Sequence, residues 1–139
     1  QGSRPGPGGS VIYLDSSVVL AQLLAEERHP KDDLWNQALV SSRLLEYEVW
    51  NRLHTYGAGE SHAAEVREVL DRIAFLELTK PVLARALEPF PIRVRILDAL
   101  HLASLEFLRA QGQTVRLASY DARMLGAAKR LKIPAFEPR

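Results

Sequence analysis

Three aspartates in this 139-residue chain stand where an extended run gives way to a helical one. Asp15 closes the apolar run Val11-Ile12-Tyr13-Leu14, and Ser16 and Ser17 then lead into an apolar, helix-like segment ending near Ala25. Asp121 follows the Val115–Ser119 run and starts a helix, and Asp98 starts the most apolar helix of the chain. In a parallel sheet the carboxyl ends of all strands share one edge, so Asp15 and Asp121 would meet there, where open α/β folds bind ligands. Crowded carboxylates repel one another unless a cation sits among them. Mg²⁺ takes oxygen donors in octahedral geometry, commonly one or two carboxylates with waters and substrate phosphates, and it can activate water for attack on phosphorus. A cluster of this kind reads most simply as a hydrolytic site for phosphodiesters. The competing reading is three helix N-caps, since aspartate caps well and suits the positive end of the helix dipole.

A fourth acid is expected from the Arg43–Tyr56 segment, whose Leu45, Val49, Leu53 and Tyr56 recur at helical spacing. Glu46 and Glu48 compete for the role. They point about 200° apart around a helix, so both cannot face one pocket, and each flanks the apolar stripe on an opposite side. Glu48 also has an ordinary role open to it, an i,i+4 pair with Arg52.

The elements that must position these acids follow from the apolar pattern. Val11–Leu14 shows no alternation, which suits a strand buried on both faces. Lys31–Leu39 reads as a short helix with Trp35 on its buried side, and Val40-Ser41-Ser42 as a very short strand ending in a helix cap. Gly57 and Gly59 end the Arg43–Tyr56 helix. Ser61 caps a helix reaching Ala74, Phe75–Leu78 reads as a strand, and Thr79 with Pro81 starts another short helix, closed by the Pro89–Pro91 break. Ile92–Leu97 alternates arginine with apolar residues like a strand. Asp98–Gln111 is a helix stopped by Gly112, Val115–Ser119 a strand, Asp121–Leu131 a helix and Ile133–Phe136 a final strand. Alternating strands and helices predict one α/β domain, a small parallel sheet with helices on both faces. It is expected over residues 11–139, with the Gly/Pro/Ser tract at 1–10 as a flexible tail or expression remnant.

Composition sets outer limits. Apolar residues make up 47% and charged residues 25%, as in ordinary globular domains. The absence of cysteine excludes disulfides and thiolate zinc sites. No apolar run approaches the ~20 residues of a membrane helix, and the N-terminus lacks a signal-peptide apolar region; a soluble cytoplasmic domain is expected. The net charge is +1, with arginine far outnumbering lysine. With four acids gathered in one pocket, the remaining surface would carry about +5 and suit a polyanion.

Four segments resemble the PIN domain family, and within it the VapC-type toxins of toxin–antitoxin pairs. They are Leu-Asp-Ser-Ser at 14–17, Ser-Arg-Leu-Leu-Glu-Tyr-Glu at 42–48, Leu-Asp-Ala-Leu-His-Leu-Ala at 97–103 and Ser-Tyr-Asp-Ala-Arg-Met at 119–124 with Ala127-Ala128. Asp-Ala-Leu-His-Leu-Ala is the most specific of them. The resemblance, which spans Val11 to Pro138, implies a Mg²⁺- or Mn²⁺-dependent endoribonuclease with Asp15, Glu48, Asp98 and Asp121 as catalytic and metal-binding acids. The family places its glutamate six residues after a Ser or Thr, which from Ser42 selects Glu48. Ser119 matches a hydroxyl often found near the last aspartate and is a candidate substrate contact. The family also implies products with 5′-phosphate and 3′-hydroxyl ends, an RNA substrate, a cognate antitoxin and a homodimer.

Other residues have weaker claims. Arg93 and Arg95 before Asp98, and Arg123 after Asp121, are candidates for RNA phosphate, or else solvated charges or salt-bridge partners. His101, beside Leu100 and Leu102, reads as a hydrogen-bonded, partly buried histidine, and His29, His54 and His62 as surface residues. Trp35, Trp50 and the tyrosines suit core or interface, with no basic-aromatic interleaving. The apolar helices before Gly57 and Ala74 are candidate faces for a second subunit or an antitoxin helix. The alternative function is a phospho-acceptor, receiver-like domain or a non-catalytic binding module. A receiver would place paired acids after its first strand and a lysine after a late one. Here serines follow Asp15, and no lysine directly follows Val115–Ser119.

Overall fold

Ile12 and Leu14 point to one side of their strand and Val11 and Tyr13 to the other, and all four are buried. A strand apolar on both faces must be covered on both, and the architecture follows from that. The computed structural model describes residues 10–24 and 30–138. Its sheet holds four strands, β1 (Ser10–Leu14), β2 (Leu39–Ser42), β3 (Ile73–Leu76) and β4 (Thr114–Ala118), in the order β3-β2-β1-β4. Every pairing is parallel, with Leu14 opposite Ala118, Tyr13 opposite Val40, and Ser42 opposite Leu76.

Ile12 and Leu14 join a core with Val18, Val19 and Leu23 of α1 (Ser16–Leu23), Leu45, Val49 and Leu53 of α2 (Leu44–Thr55), and Val66 and Leu70 of α3 (Ala63–Leu70). Val11 and Tyr13 join a second core with Leu102 and Leu105 of α5 (Ile96–Ala110) and with Met124, Ala127 and Ala128 of α6 (Ala122–Arg130). The short α4 (Lys80–Ala86) packs beside α5. Each fully buried side chain of the Leu45/Val49/Leu53 stripe contributes about 1.5–3 kcal/mol of apolar burial. Gly57 at φ 70° and Gly112 at φ 88° take the left-handed conformation that ends α2 and α5, as predicted. Among the described residues no helix is long and apolar enough to cross a membrane.

Five expectations need correction. The 31–39 segment forms only a 3-10 helix over Asp32–Asn36; Leu34 is fully buried, and Trp35, half-buried, does pack against the core. The helix expected over 61–74 stops at Leu70, because Ile73 and its neighbours pair with β2; Ser61 bonds the Ala58 carbonyl and His62 instead of capping. Ile92–Leu97 is no strand: it is irregular up to Arg95, and Ile96 begins α5. Ile133–Phe136 makes a single bridge, Ala135 with Leu117, since Pro134 has no N–H to donate. Tyr56 is 57% exposed rather than part of the buried stripe. The tail expected at 1–10 lies outside the described residues except for Ser10, which opens β1; the first helix, expected to reach Ala25, ends at Leu23, and residues 25–29, with His29 and most of the expected Glu26–Pro30 break, also lie outside them.

Candidate active site

The parallel register brings Asp15, one residue past β1, beside Ser119, one residue past β4, and the Asp15 N–H donates to the Ala118 carbonyl at 3.0 Å. Asp15 is 8% exposed. Its Oδ2 accepts hydrogen bonds from Ser17 at 2.8 Å and Ser119 at 2.7 Å. Those hydroxyls in turn accept the backbone N–H groups of Tyr120 and Asp121, both at 2.9 Å, which aims their own hydrogens at the carboxylate. The Asp15 side chain makes no cap bond to α1, so capping does not explain it.

Asp121 does cap α6, its Oδ1 accepting the N–H of Arg123 at 2.9 Å and of Met124 at 3.4 Å. Asp98, in the first turn of α5, accepts the Arg95 N–H at 3.4 Å and lies 3.4 Å from the Arg123 guanidinium. Glu48 reaches from α2 to His101 on α5, Oε1 to Nε2, at 2.7 Å. It makes no ion pair with Arg52, which meets the Tyr56 hydroxyl at 3.4 Å. Glu46 turns away, pairing at 3.1 Å with Arg43, which also binds Glu77 at 2.8 Å. Chiefly through the hydrogen bonds to Glu77, the Arg43 pKa is raised.

One cleft of about 470 Å³ is lined by Asp15, Glu48, Asp98 and Asp121 together. Among the described residues, Arg52, Arg95 and Arg123 are the cations of its wall and no lysine lines it, which gives no support to the receiver-like alternative. Two expected contacts lie elsewhere. Arg93 lines a neighbouring hollow with Phe90 and Val94. Ser119, 3% exposed, lies beneath Asp15 with its hydroxyl committed, so it supports the acid rather than facing a substrate.

A family model of the PIN domain matches residues 12–130. The chain belongs to the PIN domain family. Ribonuclease VapC46 of Mycobacterium tuberculosis (strain ATCC 25618 / H37Rv) is 35% identical over 135 residues, covering 93% of this chain and 98% of that protein. Ribonuclease VapC47 of the CDC 1551 / Oshkosh strain is 27% identical, covering 92% and 97%. Among solved structures, M. tuberculosis VapC20, a sarcin-ricin loop cleaving toxin, aligns with a TM-score of 0.64 at 18% identity, over 84% of this chain and 94% of that one. A toxin–antitoxin complex from Klebsiella pneumoniae aligns at 0.59 and 13%, over 92% and 98%. At those identities the structural likeness concerns the fold.

The donor set of this PIN domain suits a hard divalent cation. Asp15 Oδ1, Glu48 Oε2, Asp98 Oδ1 and Asp121 Oδ2 make no hydrogen bond to any described residue, while the other oxygen of each carboxylate is anchored. As the side chains stand, no three of the described His, Cys, Asp and Glu residues are close enough to hold an ion. Asp98 is held only by two 3.4 Å contacts, one to the half-exposed Arg123, so turning its carboxylate costs little.

Sequence reasoning missed Ser17, Arg52 and Tyr56, and the partner of His101. Glu48, Arg52 and Tyr56 follow one another at i, i+4 and i+8 on one face of α2, and that spacing was a usable signal. The Glu48–His101 bond joins residues 53 apart in the chain, and no local pattern announces it.

Proposed function

We propose that this PIN domain is a Mg²⁺- or Mn²⁺-dependent endoribonuclease, the toxin of a VapC-type toxin–antitoxin pair. The observation that carries the reading is the single cleft lined by four carboxylates, each with one oxygen anchored and one without a hydrogen bond to any described residue. Asp15, Glu48, Asp98 and Asp121 hold the cation in this proposal. A divalent ion supplies a water of lowered pKa and positive charge beside the reacting phosphate. The chain does the rest. Asp15, fixed by two serines, and Glu48, fixed by His101, set where the ligand sits. Arg95, Arg123 and Arg52 stand on the same wall to pair with phosphate oxygens, preferably in bidentate fashion. In-line displacement would leave 5′-phosphate and 3′-hydroxyl ends.

A cognate antitoxin is proposed as the partner, in keeping with the naming of the relatives. A homodimer is proposed from the exposure of Leu83 on α4 and of Leu87 just past its end, the latter 87% exposed. Light scattering on antitoxin-free protein should report twice the mass of one chain, and a monomer would contradict it.

The test of function is cleavage of a mixed RNA pool, tRNA included, by antitoxin-free protein with Mg²⁺, with Mn²⁺ and with EDTA, beside Asp98→Asn. Discrete fragments that require both metal and Asp98 are expected. Cleavage that survives EDTA, or the variant, would overturn the assignment.

A further inference from the structure

Tyr13, His101 and Glu48 lie on three elements far apart in sequence, yet one line of hydrogen bonds runs through them. The Ser42 N–H donates to the Tyr13 hydroxyl at 3.2 Å, that hydroxyl lies 2.7 Å from His101 Nδ1, and His101 Nε2 lies 2.7 Å from Glu48 Oε1. The two rings meet edge-on, with centroids 5.7 Å apart and planes at 84°. Tyr13 is fully buried and His101 is 1% exposed. Burial holds the phenol proton, pushing the Tyr13 pKa upward.

The hydrogens can be assigned from what each atom is able to do. A carboxylate only accepts, so His101 carries its proton on Nε2. With that single proton on the ring, Nδ1 accepts, Tyr13 donates to it, and the Tyr13 oxygen accepts from Ser42. No two donors or acceptors face each other. The line crosses the carboxyl edge of the sheet, from α5 on one face to α2 on the other, with β1 and β2 supplying its far end. His101 is also one helical turn beyond Asp98 on α5, so the same residue ties two of the cleft's acids to one frame.

We propose that His101, oriented by Tyr13, is the positioning residue that fixes the Glu48 carboxylate in the cleft, anchoring Oε1 and leaving Oε2 for the cation. This rests on the reading of Glu48 as a metal ligand. A core histidine that merely satisfies its own hydrogen bonds would contribute to stability and nothing else. A positioning histidine must also set metal affinity, and must act through Glu48.

The test is Mn²⁺ binding by calorimetry, together with ¹⁵N NMR of the histidine ring in metal-free protein. His101→Leu should weaken Mn²⁺ binding roughly 10–100-fold, as loss of a hydrogen bond to a ligating carboxylate typically does. His101→Gln, which keeps an N–H donor, should recover part of that loss. Tyr13→Phe keeps the buried ring, removes only the hydroxyl, and should weaken binding several-fold. On a Glu48→Gln background neither His101→Leu nor Tyr13→Phe should weaken binding further. Wild-type spectra should show the Nε2–H tautomer of His101, with signals that move in Glu48→Gln and in Tyr13→Phe. The proposal is overturned by undiminished Mn²⁺ affinity in folded His101→Leu, by full additivity with Glu48→Gln, or by an Nδ1–H tautomer. Wild-type protein that binds no Mn²⁺ would instead sink the metal reading, and the NMR signals would still decide whether His101 holds Glu48.

Discussion

The two halves of the acidic cleft are built differently. Around Asp15 and Glu48 the partners are close and buried or half-buried: two serine hydroxyls at 2.7 and 2.8 Å, and an imidazole at 2.7 Å that is itself held from behind by Tyr13. Around Asp98 the partners are long and half in solvent, a backbone N–H and the Arg123 guanidinium, both at 3.4 Å. Asp121 stands between these extremes, tied down as the cap of α6. The contrast suggests a division of labour: one wall is set during folding, and the other adjusts when metal and phosphate arrive. Preorganised groups need no reorganisation at the moment of reaction. An arginine resting on a carboxylate can transfer to phosphate without leaving a buried charge unpaired.

The largest effect is expected from the rigid half. Asp15→Asn should lower RNA cleavage by about 10²–10³-fold, on the scale of losing one preorganised electrostatic group at a reacting centre. Its circular dichroism should match wild type, because an amide oxygen can still accept from Ser17 and Ser119. Wild-type cleavage by this variant would remove Asp15 from the site.

Removing the supports of Asp15 should cost less activity and more stability. Ser17→Ala combined with Ser119→Ala leaves a buried carboxylate without either hydroxyl. The denaturation midpoint should fall by the equivalent of about 1–3 kcal/mol, and cleavage by roughly 10–100-fold. An unchanged midpoint would mean that the two hydroxyls do not hold the acid.

The loose half should respond in the opposite manner. Arg123→Ala removes an exposed contact, so stability should change by no more than about 1 kcal/mol. RNA binding should weaken, and the slope of log affinity against log salt should become shallower by about 0.7 for one lost phosphate contact. A stability loss as large as that of the serine pair would erase the distinction between the two walls.

How much of this was legible in the sequence depended on how local the cause was. Val11–Leu14 announced a doubly covered strand because no polar residue interrupts it, and Gly57 and Gly112 announced helix ends because the turns there need a positive φ. Asp15, Asp98 and Asp121 could be singled out because each begins a helix, two of them just past strands. The misjudged segments are those that tertiary contacts decided. Ile73 continues the apolar period of α3 but is taken by β2, and Ile92–Leu97 alternates like a strand but pairs with none. The choice between Glu46 and Glu48 was closed to periodicity for the same reason, since it turns on His101, 53 residues from Glu48. Family resemblance selected Glu48, and the geometry puts it in the cleft and Glu46 beside Arg43.

The most direct test of the account is metal binding by those two glutamates. Mn²⁺ titration by calorimetry would compare wild type, Glu48→Gln and Glu46→Gln, each checked for folding. The account predicts that Glu48→Gln weakens binding by more than tenfold, while Glu46→Gln binds as wild type does. Equal affinity in wild type and Glu48→Gln, or a loss confined to Glu46→Gln, would contradict a cation site shared by Asp15, Glu48, Asp98 and Asp121.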